Sequence, residues 1–192
     1  VAAVSRYVAE DALELIGVEY ESLPAVADAR KALEPGSPLL FEEHGHNVML
    51  QKLFTWGEVD AAFAGAAHVV QQTFRWNRLG ANPLETFGVV SQWDVVDGTL
   101  TCRGSFQAQG HFAMARAMVF DLPLNKVRFI SHPHGGSFGG KGGARGTDIT
   151  ALLSRKANGR PVKWIEDRME NLAGGASQAW DRHYDAAIAL DP

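Results

Sequence analysis

The sequence holds a single cysteine, Cys102. One thiol cannot build an internal disulfide framework, which fits a reducing compartment. Nor can it hold an iron–sulfur cluster, which usually takes four thiolates. No apolar run reaches the ~18 residues of a membrane span, and no secretory leader is read at the start. Positive charge is also in short supply: 18 Lys and Arg stand against 22 Asp and Glu, a net charge of -4. That balance lacks the basic stripe of a nucleic-acid binder. The one tight basic cluster, Arg155-Lys156, falls at a predicted helix end, where cations offset the helix dipole. The expectation is a cytoplasmic chain with no membrane span. Its first residue is Val1, so it is expected to be a processed or cut piece of a longer protein. Hydrophobic residues make up 46%, ordinary for a chain that buries a core.

Apolar periodicity predicts a helix over Arg6–Ile16, with Val8, Ala12, Leu15 and Ile16 on one face and Gly17 as its stop. Val1–Val4 is expected to end a buried strand, and Val18–Leu23 to form another before Pro24. The segment Asp28–Asn47 contains Pro35-Gly36-Ser37-Pro38, turn chemistry that marks a boundary. The expected division is a first domain over 1–42, a linker over 43–55 and a second domain over 56–192. In the second domain Trp56–Phe63 reads as a short helix, and His68–Trp76 and Phe87–Val95 as strands. Asp97-Gly98 is a hairpin turn signal, and Thr99–Phe106 is the returning strand. A helix over Gly110–Phe120 places Phe112, Ala115, Val119 and Phe120 together, and Val127–Ile130 is a strand. Thr147 or Asp148 is expected to cap a further helix, whose apolar face carries Ile149, Leu152 and Leu153. Asn158-Gly159 and Pro161 end it before a strand at Val162–Ile165. This order of strand, loop, helix and strand predicts an α/β fold. There is no internal repeat and no low-complexity tract.

Between Val127–Ile130 and that helix lie seven glycines in the twelve residues from Gly135 to Gly146. The segment Gly135-Gly136-Ser137-Phe138-Gly139-Gly140-Lys141-Gly142-Gly143 joins a strand to a helix N-terminus. Glycine lets backbone N–H groups approach a ligand closely and take positive φ, and a helix start adds unpaired donors that favour an anion or an oxo group. A flexible surface loop would have the same composition. A nucleotide phosphate loop needs G-x-x-x-x-G-K-[ST]. Gly135 through Lys141 keeps that spacing, but Gly142 replaces the hydroxyl residue that holds magnesium, and Phe138 is bulky where the loop should wrap phosphate.

The same loop closely resembles the G-G-x-F-G-x-K loop of the molybdenum hydroxylases, the family of xanthine dehydrogenases, aldehyde oxidoreductases and aerobic carbon monoxide dehydrogenases. The resemblance runs along nearly the whole chain. Val1–Ala25 resembles that family's hammerhead domain, and Gly57-Glu58-Val59-Asp60-Ala61-Ala62-Phe63 resembles its G-D-V-D-x-A-F segment. Leu84-Glu85-Thr86 is similar to an L-E-T or M-E-P element. Phe106-Gln107 stands where the family has T-Q before a helix. Gly159-Arg160-Pro161-Val162-Lys163-Trp164-Ile165-Glu166-Asp167-Arg168 resembles G-R-P-V-K-W-x-E-D-R.

The resemblance implies the tail of a hammerhead domain followed by the first part of a molybdenum-cofactor-binding domain. It implies oxidation or hydroxylation of a small substrate with water as the oxygen source. The implied cofactor is molybdenum-molybdopterin, including its cytosine dinucleotide form. Iron–sulfur clusters and FAD would sit in partner subunits, alongside the remainder of the large subunit. Gln107 and the loop residues Gly136, Ser137, Phe138, Gly139 and Gly140 are the implied cofactor contacts, with no direct protein ligand to the metal. The family's general base, a Glu in a motif near its C-terminus, is expected outside this chain, so the chain alone is expected to be inactive. Glu85 is a candidate substrate-pocket carboxylate, or equally a buried structural acid. Purine-oxidising relatives carry a Glu directly after the loop Lys; here that position is Gly142. A non-catalytic assembly fragment of the same family and a phosphate-loop protein stand as alternatives.

Other candidates are weaker. His44-Gly45-His46 and His132-Pro133-His134 could each present two ligands on one face of a strand, but neither has a convincing third ligand nearby in sequence. Glu166-Asp167-Arg168 is expected to form a structural ion pair, and Cys102 to be a packed strand residue.

Overall fold

The computed structural model describes residues 1–174 and 177–191. Its longer elements run α1 (Arg6–Leu13), α2 (Val59–Gly65), β1 (His68–Trp76), β2 (Gly88–Trp93), β3 (Leu100–Gly104), α3 (Gln109–Val119), β4 (Val127–Ser131), α4 (Thr147–Lys156), β5 (Val162–Ile165), α5 (Arg168–Gly174) and β6 (Arg182–Leu190). The chain forms two compact units: Val1–Val18 with Gly80–Gln178, and Glu19–Leu79 with Ala179–Pro192. Among the described residues, no helix is long and apolar enough to cross a membrane.

The first unit is α/β. Its sheet has the order β4-β3-β2-β5. β2 runs antiparallel to both β3 and β5, while β3 and β4 are parallel. The antiparallel pair is joined by a tight turn in which Gly98 takes φ +74 and the Asp94 carboxylate accepts the amides of Val96 and Asp97. A parallel pair needs a longer crossover, and α3 supplies it. The sheet alternates as a half-buried strand should: Val89, Ser91 and Trp93 are buried on β2, and Leu100 and Cys102 on β3. Phe106, Phe112 and Phe129 meet edge-on or tilted with centroids 4.8–6.0 Å apart, and Phe87 joins Phe106 at 6.0 Å.

Helix α4 faces the sheet differently from expectation. Its buried residues are Thr147, Thr150, Ala151 and Ser154, while Ile149 and Leu152 are 65% and 46% exposed. Small side chains let the helix approach β2 closely. The Ser91 and Thr150 hydroxyls lie 2.8 Å apart, and the Ser154 hydroxyl accepts the Trp93 amide at 2.9 Å and donates to the Arg160 carbonyl at 2.7 Å. Neither Thr147 nor Asp148 caps the helix. Gly146 is the N-cap, at φ +67, because the Asp148 carboxylate is drawn to the Arg116 guanidinium of α3 at 2.9 and 3.0 Å. Gly146 must be glycine, since a Cβ there would run into the Trp164 ring. On α3 the buried residues are Phe112 and Ala117; Val119 is exposed, and Phe120 packs edge-on against Trp93 just beyond the helix.

Helix α1 forms where periodicity placed it but stops at Leu13. Ser5 caps it by accepting the Val8 amide, and Arg6 pairs with Glu10 one turn on at 2.6 Å. The strands expected at Val1–Val4 and Val18–Leu23 do not form, and both segments are exposed. A strand needs a neighbour to complete its ladder, and no described residue supplies one.

The second unit is built on a two-stranded antiparallel ribbon, β1 against β6, in register from His68↔Leu190 to Trp76↔Arg182. Asp185 on β6 accepts from the Thr73 hydroxyl at 2.7 Å and from Arg30 at 3.0 Å. The segment around Pro35-Gly36-Ser37-Pro38 carries two short turns, Lys31–Leu33 and Glu42–His44. Asn47 pins it: its side chain accepts the Leu40 amide and donates to the carbonyls of Ala32 and Pro38.

Candidate functional site

The glycine loop leaves the C-terminal end of β4 and arrives at α4, within the first unit. Its ends are tied down by polar bonds to Glu85, and its apex rests against Pro83 and Ala81. At the near end, the Gly135 carbonyl accepts the Glu85 amide at 3.3 Å, and the Gly135 amide donates to the Glu85 carboxylate at 2.6 Å. At the far end, the Lys141 ammonium donates to the same carboxylate oxygen at 3.0 Å. The other carboxylate oxygen accepts the Ser105 hydroxyl at 2.8 Å. Partial burial alone would raise the Glu85 carboxyl, but the bonds from Lys141, Gly135 and Ser105 outweigh it and hold it below the usual carboxylate range. Lys141 is 1% exposed.

Between these anchors the backbone turns sharply. Gly136, Phe138 and Gly139 all have positive φ, at +90, +47 and +80. Glycine takes this region freely, whereas a side-chain-bearing residue such as Phe138 is strained in it. Tight turns close the bend: the Gly140 amide donates to the Ser137 carbonyl at 2.7 Å and the Gly142 amide to the Gly139 carbonyl at 3.0 Å. Among the described residues, the amides of Ser137, Phe138 and Gly139 donate to nothing. Three successive N–H groups left without a partner on a bend are donors of the kind an anion or oxo group takes up. Phe138 itself is 69% exposed.

Gln107 stands beside this loop. Its amide donates to the Lys141 carbonyl at 3.3 Å, and its side chain is exposed and free among the described residues. The chain arrives there from β3 through Ser105, bonded to Glu85, and Phe106, whose amide donates to the Ser131 hydroxyl at 3.1 Å. Gln107 thus adjoins the far end of the loop that carries Gly136–Gly140, with Glu85 bridging the loop's two ends. Gly142 is exposed, and a Cβ there would sit 2.9 Å from the Gly139 carbonyl oxygen. A phosphate loop would need its lysine free to reach the ligand; here Lys141 is buried and bound to Glu85.

The remaining candidates fall elsewhere. His44 lies on a short turn in the second unit, and His46 accepts the Val48 amide. The His134 carbonyl accepts the Gly136 amide at the loop's entrance. Glu166 is an ion-pair residue, but its partner is Arg145 at 3.0 Å. Arg168 instead donates to the Pro83 and Leu84 carbonyls. Arg145 was not singled out from the sequence, since nothing in the glycine run marks its arginine as facing an acid 21 residues on. Cys102 is buried and its thiol is pushed up to about 11 by that burial, so it is a packed residue.

Comparisons with known proteins bear on this geometry. Residues 40–191 match the molybdopterin cofactor-binding domain family. The carbon monoxide dehydrogenase large chain of Afipia carboxidovorans is 39% identical over 98% of this chain and 25% of its own length. The nicotine 6-hydroxylase large subunit of Paenarthrobacter nicotinovorans is 35% identical, over 92% of this chain and 21% of its own. Among solved structures, CO dehydrogenase from Oligotropha carboxidovorans superimposes with a TM-score of 0.84 at 38% identity, covering 97% of this chain and 25% of that one. The chain therefore spans about a quarter of the length of these relatives.

Proposed function

This chain belongs to the molybdopterin cofactor-binding family of the molybdenum hydroxylases, and on that premise we propose that its glycine loop and Gln107 hold the molybdenum cofactor in the large subunit of an oxidoreductase. One observation carries the reading: the amides of Ser137, Phe138 and Gly139, unpaired among the described residues, on a positive-φ bend two residues before Lys141, whose carbonyl accepts the Gln107 backbone amide. Backbone N–H groups and a primary amide are the donors that suit an oxo ligand or a pterin edge. When bound, the cofactor supplies an oxidising centre that accepts an electron pair from the substrate while water provides the oxygen. This chain's residues orient that centre from one side, Gly136 and Gly140 keeping the loop narrow. The cofactor is proposed to be the cytosine dinucleotide form.

The general base is assigned outside these residues. The iron–sulfur and FAD centres that carry the electrons away are assigned to partner subunits, in keeping with a single, buried cysteine here. Residues 1–42 are assigned to the end of a hammerhead domain, 43–55 to a linker and 56–192 to the start of the cofactor domain, in a cytoplasmic protein. In the complete subunit, Gly139→Val places a β-branched residue at φ +80. The expected result is loss of molybdenum and pterin with the fold kept; normal metal content and turnover would show that the loop is not the cradle.

The substrate is proposed to be a small molecule other than a purine. Gly142 offers no side chain where purine oxidisers place a carboxylate, and one charged hydrogen bond is worth roughly tenfold to a hundredfold in rate when made in the transition state. Comparing kcat/KM across purines, carbon monoxide, aldehydes, ketones and N-heteroaromatics tests this, and purines at the head of that panel would refute it.

A further inference from the structure

We propose that Glu85 is a positioning residue for the cofactor: its carboxylate, gripped by the Gly135 amide and the Lys141 ammonium, latches the two ends of the glycine loop and so sets the aim of the Ser137–Gly139 amides. The proposal rests on the reading of this loop as the cofactor cradle.

The geometry supports a latch in four ways. First, Glu85 holds Gly135 from two directions, donating its amide to the Gly135 carbonyl and accepting the Gly135 amide on its side chain. A Cβ on Gly135 would come within 2.9 Å of the Glu85 Cβ, so the contact is close enough to require glycine. Second, Lys141 is buried, and among the described residues Glu85 is its one counter-charge. An unpaired ammonium in that place would carry a heavy desolvation cost, which favours conformations that keep Lys141 on Glu85.

Third, among the described residues the apex makes no hydrogen bond outside the loop, and its outside neighbours are the small side chains of Pro83 and Ala81. The turn bonds at Gly136, Gly140 and Gly142 are internal to residues 134–142, and Phe138 is mostly exposed. The polar ties that set the loop's position are therefore those at its ends. Fourth, the latch also sets Gln107, because the Lys141 carbonyl accepts the Gln107 amide while Ser105, two residues earlier, donates to Glu85. One carboxylate thus fixes both groups of donors.

The ion pair has a chemical consequence as well. With its charge offset by Glu85, Lys141 leaves the loop to attract its ligand through neutral N–H dipoles. That suits directional contacts to an oxo group or pterin edge better than tight binding of a free polyphosphate.

The test uses the complete subunit in its cofactor-free and cofactor-loaded forms. In the cofactor-free form, Glu85→Gln should speed amide exchange in peptides covering residues 105–107 and 135–142 by roughly tenfold to a hundredfold. The same variant purified from a cofactor-competent host should carry little molybdenum or pterin. Glu85→Asp, which keeps the charge, should recover part of both. If Glu85→Gln destabilises the fold by stranding Lys141, the double variant Glu85→Gln/Lys141→Gln removes the stranded charge. It should regain the wild-type unfolding midpoint while its loop exchange stays fast and its molybdenum content stays low.

Unchanged exchange in Glu85→Gln would overturn the latch. Recovery of molybdenum content together with the midpoint in the double variant would show a merely structural residue and also overturn it. Fast exchange with full molybdenum and pterin content would sink the cradle reading itself, a result that Gly139→Val would reproduce independently.

Discussion

In the four-stranded sheet, β2 and β3 bury Val89, Trp93, Leu100 and Cys102, whereas all nine residues of β1 in the ribbon are exposed. Part of the difference is pairing: β2 and β3 have a strand on each side, whereas among the described residues β1 and β6 pair only with each other. The rest is cover. The sheet has α3 and α4 against it and an aromatic cluster beneath, while the ribbon leaves Val70, Phe74 and Ile188 each about half exposed. A two-stranded ribbon without a packed face is marginal in water. The sheet is thus the region where single contacts should carry large energies, and the loop whose ends are anchored to it inherits that rigidity.

The largest effect expected from this contrast is at Glu166, which is 3% exposed and sits at the end of β5. Its carboxylate accepts the Phe87 amide at 3.1 Å, the Asn171 side-chain amide at 2.7 Å and the Arg145 guanidinium at 3.0 Å. Glu166→Ala strands a mostly buried guanidinium and two donors. Removing one partner of a buried pair costs about 3–5 kcal/mol. Equilibrium unfolding of the complete subunit measures it, and a loss below about 1 kcal/mol would show that this knot is not the sheet's brace.

A smaller effect is expected at Ser154. Ser154→Ala removes the acceptor of the Trp93 amide and a donor to the Arg160 carbonyl, both at a fully buried position. Leaving a buried amide unsatisfied costs about 1–3 kcal/mol. The check is twofold: the unfolding free energy, and faster exchange of the Trp93 amide. A neutral result would mean that α4 is held by apolar contact alone.

Ser154 also shows where the sequence could be read and where it could not. Periodicity located α4 and its end at Asn158-Gly159 correctly, because both are local signals. It chose the wrong face, because Ile149 and Leu152 look like the core side until the sheet's demand for small residues at Thr150, Ala151 and Ser154 is known. The β2–β3 hairpin was legible from Asp97-Gly98 and alternation. β6 was not: Arg182–Leu190 is rich in alanine and becomes a strand only through its pairing with β1, where Thr73 lies 112 residues from Asp185. The loop was legible as a motif, and its family resemblance placed Gln107 beside it. The linkage through Glu85 was not legible. It joins residues 56 apart, and nothing local to Glu85 marks Lys141 as the ammonium it will meet.

The smallest effect is expected in the ribbon. Arg75 on β1 pairs with Asp181 at 3.2 Å; the Arg75 side chain is 56% exposed and that of Asp181 19%. The pairing raises the Arg75 guanidinium through its bond to Asp181, yet an arginine is charged at any working pH, so that shift has no titration to act through. Solvent and salt reach the exposed guanidinium and screen the pair, and ordering two side chains offsets part of the attraction. Arg75→Ala should therefore lower the unfolding midpoint of the complete subunit only slightly, and less at high salt than at low. Glu166→Ala is the matched control, because both variants remove one partner of an arginine–carboxylate pair. If Arg75→Ala proved as damaging as Glu166→Ala, the ribbon pair would have to be shielded from water in the complete subunit. The contrast between a covered sheet and an open ribbon would then hold only for these residues and not for the assembled protein.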